Sequence, residues 1–232
     1  MKFSLQAVCA ILLLASPLLA QQPHELSGEE VVKNLVRMNL ERANNLASYE
    51  DTRDYKIRYE GFPSSRAAEM VVDVKYRAPA TKVFTVRSSS GSRFLIDRVL
   101  TRLMDSEREA LTPENQSKVA LNENNYSFTL IGHENTPTGS HYILSVEPKT
   151  KEKLLYRGKI WVDAADFAVT HIEAEPARNP SFWTKEIKIE HTYAKWGNFW
   201  LPKSNSSITS TRLGGHAYLT IDYRDYKVTA VH

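Results

Sequence analysis

Gly158-Lys159-Ile160-Trp161-Val162-Asp163, a short turn, then Val169-Thr170-His171-Ile172-Glu173-Ala174-Glu175-Pro176 is the stretch that decides the fold. Apolar and polar residues alternate through both halves, the period of a half-buried antiparallel pair. The same alternation extends outward on both sides. Downstream it predicts strands over 186–194, 200–210 and 216–226, and upstream over 154–162, 141–147 and 125–131. Three more strands are predicted at 49–59, 68–76 and 82–87, where Ser88-Ser89-Ser90-Gly91 is expected to break the sheet.

Two segments change period. Ser27-Gly28-Glu29-Glu30 reads as a capping box, and Val31, Val32, Leu35, Met38 and Leu46 follow at helical spacing, with Leu40 on the opposite face. A helix is therefore predicted over 28–46. Between 93 and 108, Phe94, Leu95, Val99, Leu103 and Met104 recur mostly at four- and five-residue intervals, predicting a second helix inserted between strands. A shorter helical turn is predicted to start at Thr112-Pro113-Glu114. The fold class is mainly β (α+β): a strongly curved antiparallel sheet or incomplete barrel of about ten strands, with an N-terminal helix and a helical lid or insertion.

The first twenty residues have a different character. Lys2 is their only charge, an apolar run spans 7–14, and Pro17 with small residues leads to Ala20. That layout predicts a signal peptide over 1–20, cut between Ala20 and Gln21, and a single exported domain over 21–232. Cys9, the only cysteine, sits within the leader, so the mature chain is expected to lack disulfides, Cys–metal sites and a cysteine nucleophile. Formal net charge is +3, with Lys and Arg interspersed among Asp and Glu. No clustered basic run exists to neutralise phosphates, so nucleic acid is not an expected partner.

Chemistry-bearing residues form no recognisable set. His24-Glu25 and His133-Glu134 are isolated pairs, and His171 and His191 fall on separate strands without ligand spacing. Gly139-Ser140-His141 lacks the nucleophile elbow, and Gly214-Gly215 reads as a turn between strands. No catalytic residue, metal or cofactor is assigned, and an enzyme is not expected.

The segment Arg157-Gly158-Lys159-Ile160-Trp161-Val162-Asp163, followed by Val169-Thr170-His171-Ile172-Glu173, resembles the paired strands of outer-membrane lipoprotein-sorting proteins. Tyr218-Leu219-Thr220-Ile221-Asp222-Tyr223 resembles their closing strand. With the order of helix, three strands, helical insertion and meander, most of the chain past the leader resembles the LolA/LolB-like periplasmic fold. The resemblance implies an unclosed barrel whose helical lid encloses an apolar cavity for acyl chains. In that family an arginine holds the lid of the lipoprotein carrier, and the resemblance assigns it to no residue here. The outer-membrane receptor is lipid-anchored, whereas Cys9 lies too early for such an anchor.

The expected function is a periplasmic carrier holding an acyl chain, lipid or lipoprotein. The alternative is an envelope protein-interaction or sensor module with the same fold and no lipid cargo. The inserted helix is expected to act as a weakly held lid, presenting Leu95, Val99 and Leu103 with Met104 further round. The cavity itself is assigned to Trp161, Ile187, Ile189, Leu219 and Ile221. The loop Asn179-Pro180-Ser181-Phe182-Trp183 offers Phe182 and Trp183 at its rim. An inner face on which these side chains pack only against one another and the helices would favour the interaction module.

Overall fold

The computed structural model describes residues 26–231 apart from Thr138, Lys153, Pro180, Ser181 and Trp183. The expected leader and its cleavage point lie outside the described residues. Within them, ten strands form one antiparallel sheet in the order β3-β2-β1-β10-β9-β8-β7-β6-β5-β4. The sheet does not close, because β3 (Thr81–Gly91) and β4 (Tyr126–Thr136) are its two ends and do not pair with each other. Every connection between strands is a simple meander except one, from β3 to β4. Chain entry through α1 (Gly28–Asn45) leads to β1 (Leu46–Glu60), and the helical segment lies between β3 and β4. Pairing of β1 with β10 (His216–Ala230) joins the ends of the chain inside the sheet.

Each element follows from local chemistry. Ser27 caps α1: Glu30 N donates to its hydroxyl at 3.3 Å, while Ser27 N donates to the Glu30 carboxylate at 2.8 Å. The helix buries Val31, Val32 and Leu35, and leaves Leu40 exposed. Arg42 fixes its far end by donating to the carbonyls of Asp166 and Phe167 in the β6–β7 turn. Between β6 (Tyr156–Asp163) and β7 (Val169–Pro176) a register shift falls at Trp161/Val162. Gly158 supports that close pairing: at φ +151°, a Cβ there would sit 2.1 Å from the Glu173 carbonyl oxygen.

The serine run does not break the sheet as expected. β3 continues to Gly91, with Ser88, Ser89 and Ser90 opposite Val71, Met70 and Glu69 of β2 (Arg66–Arg77). An end strand needs a partner on one side only, and the β2 backbone supplies it whatever the side chains are.

Strand registers show how one face is built. A row runs across the sheet through Phe128, Val146, Gly158, Ala174, Ile189, Ser207, Leu219, Ile57, Ala68 and Gly91. The next row on the same face is Leu130, Leu144, Ile160, Ile172, His191, Asn205, Ile221, Tyr55, Met70 and Ser89. Apolar residues dominate both flanks and thin out over β8 (Thr184–Trp196) and β9 (Phe199–Thr211). Two buried clusters result. One lies under α1, with Leu144, Val146, Ile160, Val162 and Ile172; the other lies under the inserted helices, with Tyr55, Met70, Val72 and Val74.

Candidate functional site

A cavity of about 920 Å³ occupies the gap between the two clusters. Its floor is β8 and β9, through Ile187, Ile189, His191, Asn205, Ser207 and Thr209, and Leu219 and Ile57 continue it onto β10 and β1. Its roof is the insertion, through Phe94, Leu95, Arg98, Val99, Arg102, Leu103 and Ser106. Tyr59, Phe62, Pro63 and Arg66 stand at the β1–β2 end. The volume falls in the upper part of the range for ligand pockets, about 300–1,000 Å³.

The insertion is not one regular helix. A short α turn, α2 (Arg93–Leu95), leads into a π-helical turn (Ile96–Leu100), and α3 (Thr101–Ala110) follows. The wider turn shifts the side-chain phase. Leu100, fully buried, and Met104 enter the core with Leu95, while Val99 and Leu103 come to the cavity side, half-buried. The hydroxyl of Thr101 donates to the Ile96 carbonyl at 3.1 Å across this turn. A shorter helix, α4 (Pro113–Val119), completes the segment.

A weakly held lid was expected, but the insertion is fastened at both ends. At its start, Ser92 N donates to the Ala67 carbonyl at 2.7 Å. At its finish, Glu107 accepts from Arg53 Nη1 at 2.7 Å and from Lys82 Nζ at 2.6 Å. Arg53 is 1% exposed, and its Nε donates to Asp51 Oδ1 at 2.8 Å. The rings of Tyr223 and Phe84 lie 4.7 and 5.5 Å from its guanidinium carbon. Burial acts to raise the Glu107 carboxyl pKa, but Lys82 and Arg53 together outweigh it and hold the carboxyl below the usual range. Burial lowers the pKa of the Lys82 ammonium against the pull of Glu107. Arg53 thus ties the end of the insertion to the sheet through Glu107.

The cavity floor is unusual for an apolar face. Asn205, Ser207 and Thr209, at alternate positions of β9, point into it beside His191 and Thr184. Burial, and next the charge of His171 one strand over, push His191 down to about 4, so it is neutral at physiological pH. An unfolded histidine titrates near 6.5, so between the two values the unfolded chain takes up the proton first. Stability from this group is thus complete above about pH 6.5 and is lost as pH falls toward 4. Urea unfolding across that range is expected to show stability declining with acid, and His191→Gln is expected to flatten the decline. Equal slopes for both proteins would contradict this assignment.

Of the side chains predicted from sequence, Leu95, Val99, Leu103, Ile187, Ile189 and Leu219 line the cavity. Met104 and Ile221 do not; both are buried in the cluster beneath the insertion, Met104 one residue round the helix from Leu103. Trp161 lies on the opposite face from Ile160 and Val162. Its indole N–H donates to Glu134 Oε2 at 2.7 Å, and its ring meets His171 edge-on at 4.7 Å. It borders a separate groove with His141, His171 and Trp200. Phe182 is 75% exposed under the Arg212 guanidinium and does not line the cavity. Trp183 lies outside the described residues. The sequence reading missed the β9 row, His191 and the arginines of the rim. Asn205, Ser207 and Thr209 carried a signal in their two-residue spacing, which marks one shared face.

Among the described residues, no three His, Cys, Asp or Glu side chains gather in a way that could hold a metal, and no helix is long and apolar enough to cross a membrane. No protein-family profile and no curated protein matches the chain. Its structural neighbours include LolA-superfamily proteins. It is similar to a DUF1329 family protein from Desulfovibrio piger ATCC 29098 at 12% identity, over 87% of this chain and 92% of that one, with a TM-score of 0.41. It is similar to the LolA superfamily protein NE2245 from Nitrosomonas europaea at 13% identity, over 90% and 96%, with a TM-score of 0.35. It is also similar to an outer membrane lipoprotein-sorting protein domain from Vibrio parahaemolyticus at 11% identity, over 86% and 93%, with a TM-score of 0.39.

Proposed function

We propose that this protein is an exported carrier, working in the periplasm, that holds an acyl chain or the lipid part of a larger molecule between the insertion and β8–β9. The observation that carries this reading is the cavity of about 920 Å³ walled by Leu95, Val99, Leu103, Ile187, Ile189 and Leu219. No covalent step is required. Removing apolar surface from water contributes about 25 cal/mol per Å², less the cost of ordering the ligand. An interaction module without cargo would be favoured by an inner face filled by its own side chains, and the gap between the two clusters speaks for the carrier. Native mass spectrometry of protein purified from the envelope is expected to show a co-purifying lipid, and the delipidated protein is expected to take up a fluorescent fatty acid. A bare polypeptide mass together with no uptake would overturn the carrier reading.

A further inference from the structure

The charge lining the cavity has a single sign. Arg98 and Arg102 stand on its insertion side and Arg66 at its β1–β2 end, and among the described residues its lining contains no aspartate or glutamate. Arg98 and Arg102 are exposed and have no ion-pair partner among the described residues, while Arg66 lies over the ring of Phe94 at 5.6 Å. By contrast, Arg53 is matched with Asp51, Arg157 with Glu175, and Arg224 with Asp54. Asp97, next in sequence to Arg98, is exposed and does not line the cavity. Unmatched guanidiniums beside an apolar trough are complementary to a molecule that is anionic at one end and apolar along the rest. Arginine suits oxyanions in particular, because its fork can give two parallel hydrogen bonds.

We infer that the cavity selects an anionic amphiphile, with its chain between the insertion and β8–β9 and its phosphate- or carboxylate-type head at Arg66, Arg98 and Arg102. The inference rests on the carrier reading above and adds the headgroup to it. The hydroxyl and amide groups of Ser207, Thr209 and Asn205 give polar atoms in the linkage between head and chain something to bond.

Two probes that differ only in the head separate the possibilities: 1-lauroylglycerol and 1-lauroylglycerol 3-phosphate, titrated calorimetrically below the concentrations at which they aggregate. The phosphorylated probe is expected to bind about tenfold more tightly, with an advantage that shrinks as sodium chloride is raised. Arg98→Gln with Arg102→Gln is expected to remove that advantage, bringing the affinity for the phosphorylated probe down to about that of the same variant for 1-lauroylglycerol. Both side chains are exposed, so the thermal transition of the double variant should match the parent. Equal affinity for the two probes would overturn the headgroup inference and leave the carrier reading standing, whereas no binding of either would overturn both. Tight binding of inorganic phosphate alone would show a free-anion site in place of an amphiphile site. A preference that survives in the double variant would remove the arginines from the assignment.

Discussion

Replacing Arg53 with leucine is expected to destabilise the protein by about 3–5 kcal/mol, the range for removing one partner of a buried ion pair. Asp51 has a fully buried side chain, and its carboxylate accepts from the Arg53 guanidinium at 2.8 Å. Burial already pushes the Asp51 carboxyl up with the arginine in place. Without the guanidinium it must be desolvated as an uncompensated charge or take up a proton. Glu107 keeps Lys82, so the end of α3 loses one of its two fastenings to the sheet while Tyr223 and Phe84 lose the cation between their rings. Arg53→Lys should recover part of the loss, because it keeps the charge but not the fork that spans Asp51 and Glu107. Chemical denaturation midpoints for the parent and both variants test this order. A leucine variant as stable as the parent would show that the cluster contributes nothing net.

Leu100→Ala is expected to cost about 2–5 kcal/mol, as for other large-to-small changes in a packed core. Its side chain is fully buried, held by the π turn against the sheet. Val99 and Leu103 are neighbours in sequence with a different fate, since both border open space. Val99→Ser with Leu103→Ser should therefore leave the melting transition largely in place while weakening fatty-acid uptake. Thermal denaturation followed by circular dichroism, with uptake measured on the same samples, distinguishes the two roles. A collapse of the transition in the Val99/Leu103 variant would show that the cavity-side residues are structural. An unshifted transition in Leu100→Ala would contradict the packing.

The strand plan was legible because alternation survives wherever one face is buried, and Ile160/Val162 and Leu219/Ile221 display it openly. The capping box at Ser27 made the start of α1 equally plain. What sequence did not disclose depends on distant partners. A π turn leaves no periodic trace in a window this short, so Leu100 went unnoticed, and Met104, one residue round the helix from Leu103, was assigned to the cavity side. The ion cluster joins positions 51, 53, 82 and 107, whose proximity exists only once β1, β3 and α3 are packed together. Trp161 was assigned to the cavity by residue type, although alternation with Ile160 and Val162 already placed it on the other face. Arg98 and Arg102 carry no periodic signal, and their relation to the trough emerges only when β8 and β9 lie opposite.

The division of the buried side chains into two clusters on one face has a thermodynamic consequence. Over β8 and β9 little side-chain packing crosses from one half to the other, so the halves communicate chiefly through the backbone ladder of β7, β8, β9 and β10. Effects at Val32 and at Leu100, which share no partners, should be close to additive, whereas Arg53 and Leu100 belong to one packed unit and should not be. A ligand lying in the trough would join the β8–β9 floor to the insertion above it, and the empty protein and the filled one would then differ in cooperativity as well as in free energy.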